Sequence, residues 1–146
     1  MHTGQHYDDR MSKVFFEDLA MPVPNCLLEE GSESHAEQTA QILLKLEAIL
    51  LRDAPEFVVV VGDVNFTLAA AKLNVPVAHV ESGLCSGDRE MPEEINRIVV
   101  DYLSGLLFTT CSDADDNLRA EGIFGEHVIF VGNPMIDGLE VGPDLA

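Results

Sequence analysis

Residues 57–97 read FVVVVGDVNFTLAAAKLNVPVAHVESGLCSGDREMPEEINR, and the fold is decided here. The run 57–61 is short, continuous and rich in β-branched side chains, the signature of a strand buried on both faces of a parallel sheet. It stops at Gly62-Asp63. The run 75–80 repeats the pattern and stops at Glu81-Ser82-Gly83. In open α/β sheets, ligands bind outside the carboxyl ends of the strands, so Asp63 and Glu81 are expected to project into one crevice. Asp63 equally suits an ordinary helix cap, with Asp63 or Asn65 accepting from the first free backbone N–H groups. Glu81 has no helix start of its own to cap, and an acid at such a corner has a partner or a job.

A third pair of carboxylates, Glu93-Glu94, follows Met91-Pro92, where proline favours the first turn of a helix. These acids complement the positive end of the helix dipole. That role is sufficient for Glu94. Three carboxylate positions on successive strand-to-helix corners point to an acid-rich pocket and an enzyme.

The flanking sequence keeps the same rhythm. Ser34-His35-Ala36-Glu37 is a capping box that opens a helix running to about Arg52, with Ala36, Ala40, Leu43, Leu44, Leu50 and Leu51 as its apolar stripe. Residues 106–110 predict a third strand, Ser112 caps a helix ending at Gly122, residues 128–131 predict a fourth strand, and Asn133-Pro134 restarts a helix. Strands alternating with helices predict an α/β, Rossmann-like parallel sheet with right-handed crossovers.

At 146 residues with 47% hydrophobic content, the chain is one domain's worth of sequence. It shows neither a membrane-length apolar run nor a signal-peptide core, so a cytoplasmic location is expected. Cys26, Cys85 and Cys111 lie outside any paired spacing and read as reduced thiols, with no metal site expected. Acidic residues number 26 against 8 basic ones, a formal net charge of −18. That surface repels phosphate backbones and anionic lipid, which argues against nucleic-acid and membrane partners. An anionic ligand would need local help from Arg10, Arg89, Arg97 or helix N-termini.

Other sites are weaker. His2 and His6 lack a third ligand, and His79 reads as a satisfied core histidine. Thr3-Gly4-Gln5-His6 is a polar, turn-like segment. No glycine-rich dinucleotide or Walker motif is present, so a dinucleotide fold of the usual kind is unsupported.

Taken in order, TGQHYD, MSxxFFxDL, GSxSHAEQTA, GDVNxTLA, PVAHVESGL, MPEEINR, LLFT, NLRAEGI and VGNPMIDGL resemble the N-terminal half of the non-hydrolysing UDP-N-acetylglucosamine 2-epimerases. PVAHVESGL with MPEEINR is the specific part. The resemblance implies half of a two-domain GT-B-like fold with its active site in the cleft between halves. It implies interconversion of UDP-GlcNAc and UDP-ManNAc, precursors of cell-surface polysaccharide, by UDP elimination across C1–C2 and re-addition, without a redox cofactor. Such chemistry needs a base, an acid on the opposite face and help for the leaving diphosphate. The family's catalytic carboxylates match Asp63, Glu81 and Glu93; Gln5, His6, Arg89, Arg97 and Asn133 are the corresponding substrate-binding candidates.

Against the family pattern, residues 1–146 form a partial N-terminal domain. The first strand with its GTRPE loop, nearly all of the second strand, and the second domain are missing, which would take the middle out of the sheet. The helix between Asp63 and Glu81 is about one turn short, preserving its facing at ~3.6 residues per turn. Cys85 replaces the usual arginine of GLRS, and Phe66 a small hydroxyl residue. The resemblance thus implies an epimerase half, inactive alone and active only with the missing segments supplied by a longer gene product or a complementing chain, with a homodimer as the family's common assembly. The alternatives are a non-catalytic or degenerate sugar-nucleotide-binding fragment, and a GT-B glycosyltransferase.

An acid excess with only Lys13, Lys45 and Lys72 as lysines is the surface of a protein adapted to salt. The thermal midpoint is therefore expected to rise as KCl is raised to molar levels and screens the self-repulsion. A midpoint that stays flat or falls would reject salt adaptation.

Overall fold

The computed structural model describes residues 35–62, 64–134 and 136, and in them the helix–strand alternation is realised. The elements are α1 (His35–Asp53), β1 (Val58–Val60), α2 (Val64–Lys72), β2 (Val77–Val80), α3 (Pro92–Leu103), β3 (Leu106–Thr109), α4 (Ser112–Ala120) and β4 (Val128–Phe130). The strands form one parallel sheet in the order β1-β2-β3-β4. Pro134 and Ile136 are helical, where a restart is expected.

Local chemistry sets the boundaries. β2 begins later than residue 75 because residues 73–75 still belong to the end of α2. Asn74 takes φ +56, its N–H reaches Ala71 C=O at 3.1 Å, and Val75 N–H reaches Ala70 C=O at 2.9 Å. This is a Schellman termination with asparagine in the left-handed position. α4 ends the same way at Gly122, whose φ is +85, with Ile123 N–H on Leu118 C=O at 2.9 Å. At the other end of α4 the cap is Cys111 rather than Ser112, with no side-chain capping bond.

Because each strand is followed in space by the next in sequence, right-handed crossovers put the helices on one face. Paired positions share a face, so Val58, Val60, Val77, His79, Leu107 and Thr109 all point the same way, and all are buried. Ile42, Leu46 and Leu50 of α1 meet Val58, Val60, Ala69, Ala70, Val77 and Val100 in the main core. Leu107, Leu118 and Ile123 form a second cluster with Val128 against it. Fully burying such a side chain stabilises by roughly 1.5–3 kcal/mol.

The stripe on α1 differs from the expected one. Leu44 and Leu51 are exposed, as are Ala36 and Ala40, while Ile42, Leu46 and Leu50 are buried and Leu43 and Ile49 partly so. Adjacent leucine pairs allow either face, and packing against α2 selects the Ile42-Leu46-Leu50 row, spaced by four residues.

The four described strands are contiguous, so the expected gap does not fall within them. On the sheet face away from the helices, Val59 is 55% exposed, Leu106 42% and Ile129 38%, and no strand pairs with the outer edge of β1 among the described residues. Open edges and apolar faces drive association. The 146-residue chain should therefore self-associate with rising concentration, and Val59→Lys should shift it towards monomer in sedimentation. A monodisperse parent at high concentration would show that this face is covered in solution.

Candidate active site

The corner after β2 carries the clearest local distortion. Glu81 is half-buried and has φ +66, one of three non-glycine residues with positive φ among those described. A side chain there costs on the order of 1–3 kcal/mol, and such strain concentrates at functional sites. Neighbouring elements hold the corner. Ser82 N–H donates to Phe108 C=O at 3.1 Å, Gly83 N–H to Asp101 Oδ2 at 3.3 Å, and Asn117 Nδ2 to Gly83 C=O at 3.0 Å. Gly83 has φ +74, and a Cβ there would lie 2.4 Å from Ala114 C=O oxygen, so only glycine lets the corner seat on α4.

Behind the corner lies a charged cluster. Arg97 is buried and its NH1 donates to Asp101 Oδ2 at 2.7 Å, while its NH2 donates to Glu94 Oε1 at 2.8 Å and Glu121 Oε1 at 2.7 Å. Asp101 Oδ1 also meets His79 Nδ1 at 2.6 Å, which satisfies the core histidine as expected. Glu94 further accepts from Cys85 Sγ at 2.9 Å, Ser86 N–H at 2.9 Å and Ser86 Oγ at 3.0 Å. The loop between β2 and α3 is thus fastened at both ends.

Two expectations change here. Glu94 is not an exposed complement to the helix dipole; it is 4% exposed and fully engaged. Arg97, a candidate for binding an anionic substrate, faces three carboxylates of its own fold instead. Glu93, one position before Glu94 and so ~100° around the helix, is exposed, as are Arg89 and Asn133. Asp63, Gln5 and His6 lie outside the described residues.

Cys85, Glu94 and Glu121 bring one ligand atom each within 4.8 Å of one another. The space between the two carboxylates is already held by Arg97, a built-in cation, so these residues suit an ion pair better than a metal. Asp101, Asn117 and Glu121 are structural partners that the sequence reading passes over. Their signal is the 94-97-101 spacing, which puts Glu, Arg and Asp on one helix face.

Residues 1–145 match the family model described as UDP-N-acetylglucosamine 2-epimerase. The chain belongs to that family. It is 51% identical over 143 residues to a UDP-N-acetylglucosamine 2-epimerase homolog of Methanococcus maripaludis, covering 95% of this chain and 40% of that protein. It is 43% identical to the UDP-2,3-diacetamido-2,3-dideoxy-D-glucuronate 2-epimerase of Pseudomonas aeruginosa, covering 94% and 40% respectively. The structure of the Methanocaldococcus jannaschii UDP-GlcNAc 2-epimerase in complex with UDP-GlcNAc and UDP superposes with a TM-score of 0.89 at 46% identity, covering 94% of this chain and 39% of that one. The fold is accordingly a Rossmann-like sheet of the GT-B-type epimerases, and the chain spans about two fifths of these relatives' length.

Within this epimerase-family chain the charge states follow from the contacts. Burial works against the Arg97 cation, but its bonds to Glu121 and Glu94 raise its pKa further above an already high value. The guanidinium beside Glu94 holds that carboxyl at about 2, with Cys85 and Ser86 donating in the same sense. The thiol of Cys85 is pushed up by donating to Glu94, so it remains protonated and a poor nucleophile.

A carboxyl whose pKa falls from 4.5 to about 2 on folding contributes stability that is complete above pH 4.5 and lost as pH drops through 2. Glu94→Gln should lower stability at neutral pH by on the order of 2 kcal/mol, the scale of hydrogen bonds to a charged group. In urea unfolding, the gap between parent and variant should close as pH falls from 4.5 to 2. A gap independent of pH would mean that Glu94 contributes shape alone.

Proposed function

We propose that this chain is the carboxylate-bearing part of a UDP-N-acetylglucosamine 2-epimerase, a cytoplasmic isomerase for UDP-GlcNAc and UDP-ManNAc. The observation that carries the reading is Glu81, held at positive φ at the carboxyl end of β2, where an α/β sheet presents ligands. Relatives at 51% and 48% identity are named for this activity or as its homolog, and one solved relative holds UDP-GlcNAc and UDP, which supports the choice of substrate.

In the proposed reaction a carboxylate takes the proton from C2 as the C1–O bond to UDP breaks, leaving a C1–C2 double bond. UDP then re-adds at C1 while an acid delivers a proton to the other face of C2. Glu81 and Asp63 carry the proton transfers. Glu93, at the positive end of α3, orients the sugar or accepts a proton. Among the described residues Arg89 is exposed without an ion pair, whereas Arg97 is consumed by its three carboxylates. Arg89 therefore has the diphosphate role, with Gln5, His6 and Asn133 completing substrate contacts. Residues 1–146 form a partial N-terminal domain, and a second domain or partner chain closes the cleft.

A second reading, a non-catalytic or degenerate fragment, is favoured by Cys85 at the place where the family resemblance implies arginine. Exchange of the C2 proton of UDP-GlcNAc into deuterated water separates the two. The 146-residue chain alone should show no exchange. Joined to the remaining segments of the Methanococcus maripaludis relative, it should exchange and form UDP-ManNAc. In the joined protein the amide variants of Asp63, Glu81 and Glu93 should each lose ~100- to 10,000-fold in turnover. No turnover by the joined parent would favour the fragment reading; near-parental turnover by all three variants would reject the carboxylate roles.

A further inference from the structure

We infer that Asp101 and Asn117 are positioning residues that fix the direction of the Glu81 carboxylate by clamping the N–H and C=O of Gly83. The inference rests on reading Glu81 as a carboxylate of the active site.

Three successive peptide planes follow Glu81, and each is tied to a different element. The plane between Glu81 and Ser82 donates to β3 through Phe108 C=O, and the next donates to α3 through Asp101 Oδ2. The third accepts from α4 through Asn117 Nδ2. Asp101 accepts while Asn117 donates, so the two side chains act on the N–H and C=O of the same glycine and leave it no freedom to rotate.

The Asp101 side chain is itself immobilised. His79 from β2 occupies Oδ1, Arg97 shares Oδ2 with Gly83, and all three side chains are at most 9% exposed. This gives the buried His79 a role two residues before Glu81: it anchors the acceptor that holds the corner following it. Without the clamp, Glu81 has no reason to keep φ +66, and relaxing to negative φ would swing its side chain away from the strand end.

Asn117 is half-buried on a helix, so replacing it with alanine removes the donor without disturbing helix propensity. In the 146-residue chain, Asn117→Ala and the isosteric non-donor Asn117→Asp should speed hydrogen–deuterium exchange across residues 81–86 by about tenfold. Exchange in α1 should not change. Asp101→Asn should have the same local effect, and if it does not fold, the two Asn117 variants decide the matter. In the joined protein, Asn117→Ala should lower kcat by up to ~100-fold at unchanged KM. Unchanged exchange at 81–86, an equal rise in α1, or raised local exchange with parental kcat would each overturn the inference. Should the joined parent itself turn over no substrate, the epimerase reading fails, and local exchange alone still decides whether the clamp exists.

Discussion

The site depends on one guanidinium. Arg97 joins Glu94 and Asp101 of its own helix to Glu121 beyond α4, with donor distances of 2.7–2.8 Å to all three. Arginine suits this place because its planar fork presents several donors in fixed directions, which a lysine ammonium cannot copy. The carboxylates pass the constraint outward: Glu94 to the start of the loop before α3, and Asp101 to the corner after β2. Burying so many charges carries a large desolvation cost, and apolar replacements at such places often match them in stability. What an apolar core cannot supply is a set of directed donors and acceptors that places a backbone corner in a disfavoured conformation.

Much of the architecture is legible in the sequence because strand and helix signals agree with their neighbours. The runs at 57–61 and 75–80 end in glycine or a charged corner, and a helix start follows each, directly after the first and beyond a loop after the second, which leaves little but a parallel sheet. The shortfalls have particular causes. The Leu43-Leu44 and Leu50-Leu51 pairs offer α1 two apolar faces, and only α2 chooses between them. Glu94 reads as surface because Pro-Glu-Glu is an ordinary helix opening; its burial comes from Cys85 and Ser86 folding back over it. Arg97 reads as an anion receptor because one chain of letters does not show that Glu121 reaches it from 24 positions away. The carboxylate positions are visible as strand-end acids, whereas the chemistry assigned to them derives from family resemblance and from relatives of greater length.

Cys85 fits the same picture. An arginine there would bring a second cation to Glu94, which already neutralises Arg97. The smaller thiol donates to Glu94 and accepts from Gly87 N–H at 3.1 Å, keeping the loop closed with no added charge.

The order β1-β2-β3-β4 also bears on how the sheet is made. Spatial neighbours are sequence neighbours, each strand pair being joined by one helix and its flanking loops. Parallel sheets fold slowly when distant segments must find each other across large loops. Here each pairing closes a local loop, so the described sheet can extend strand by strand as the chain leaves the ribosome. Glu121 and Asn117 arrive near the end of that sequence. The β2 corner therefore receives its Asn117 fastening, and Arg97 its Glu121 partner, only after the residues of the main core from Ile42 to Val100 have been made, which makes the corner's final conformation a late event in assembly.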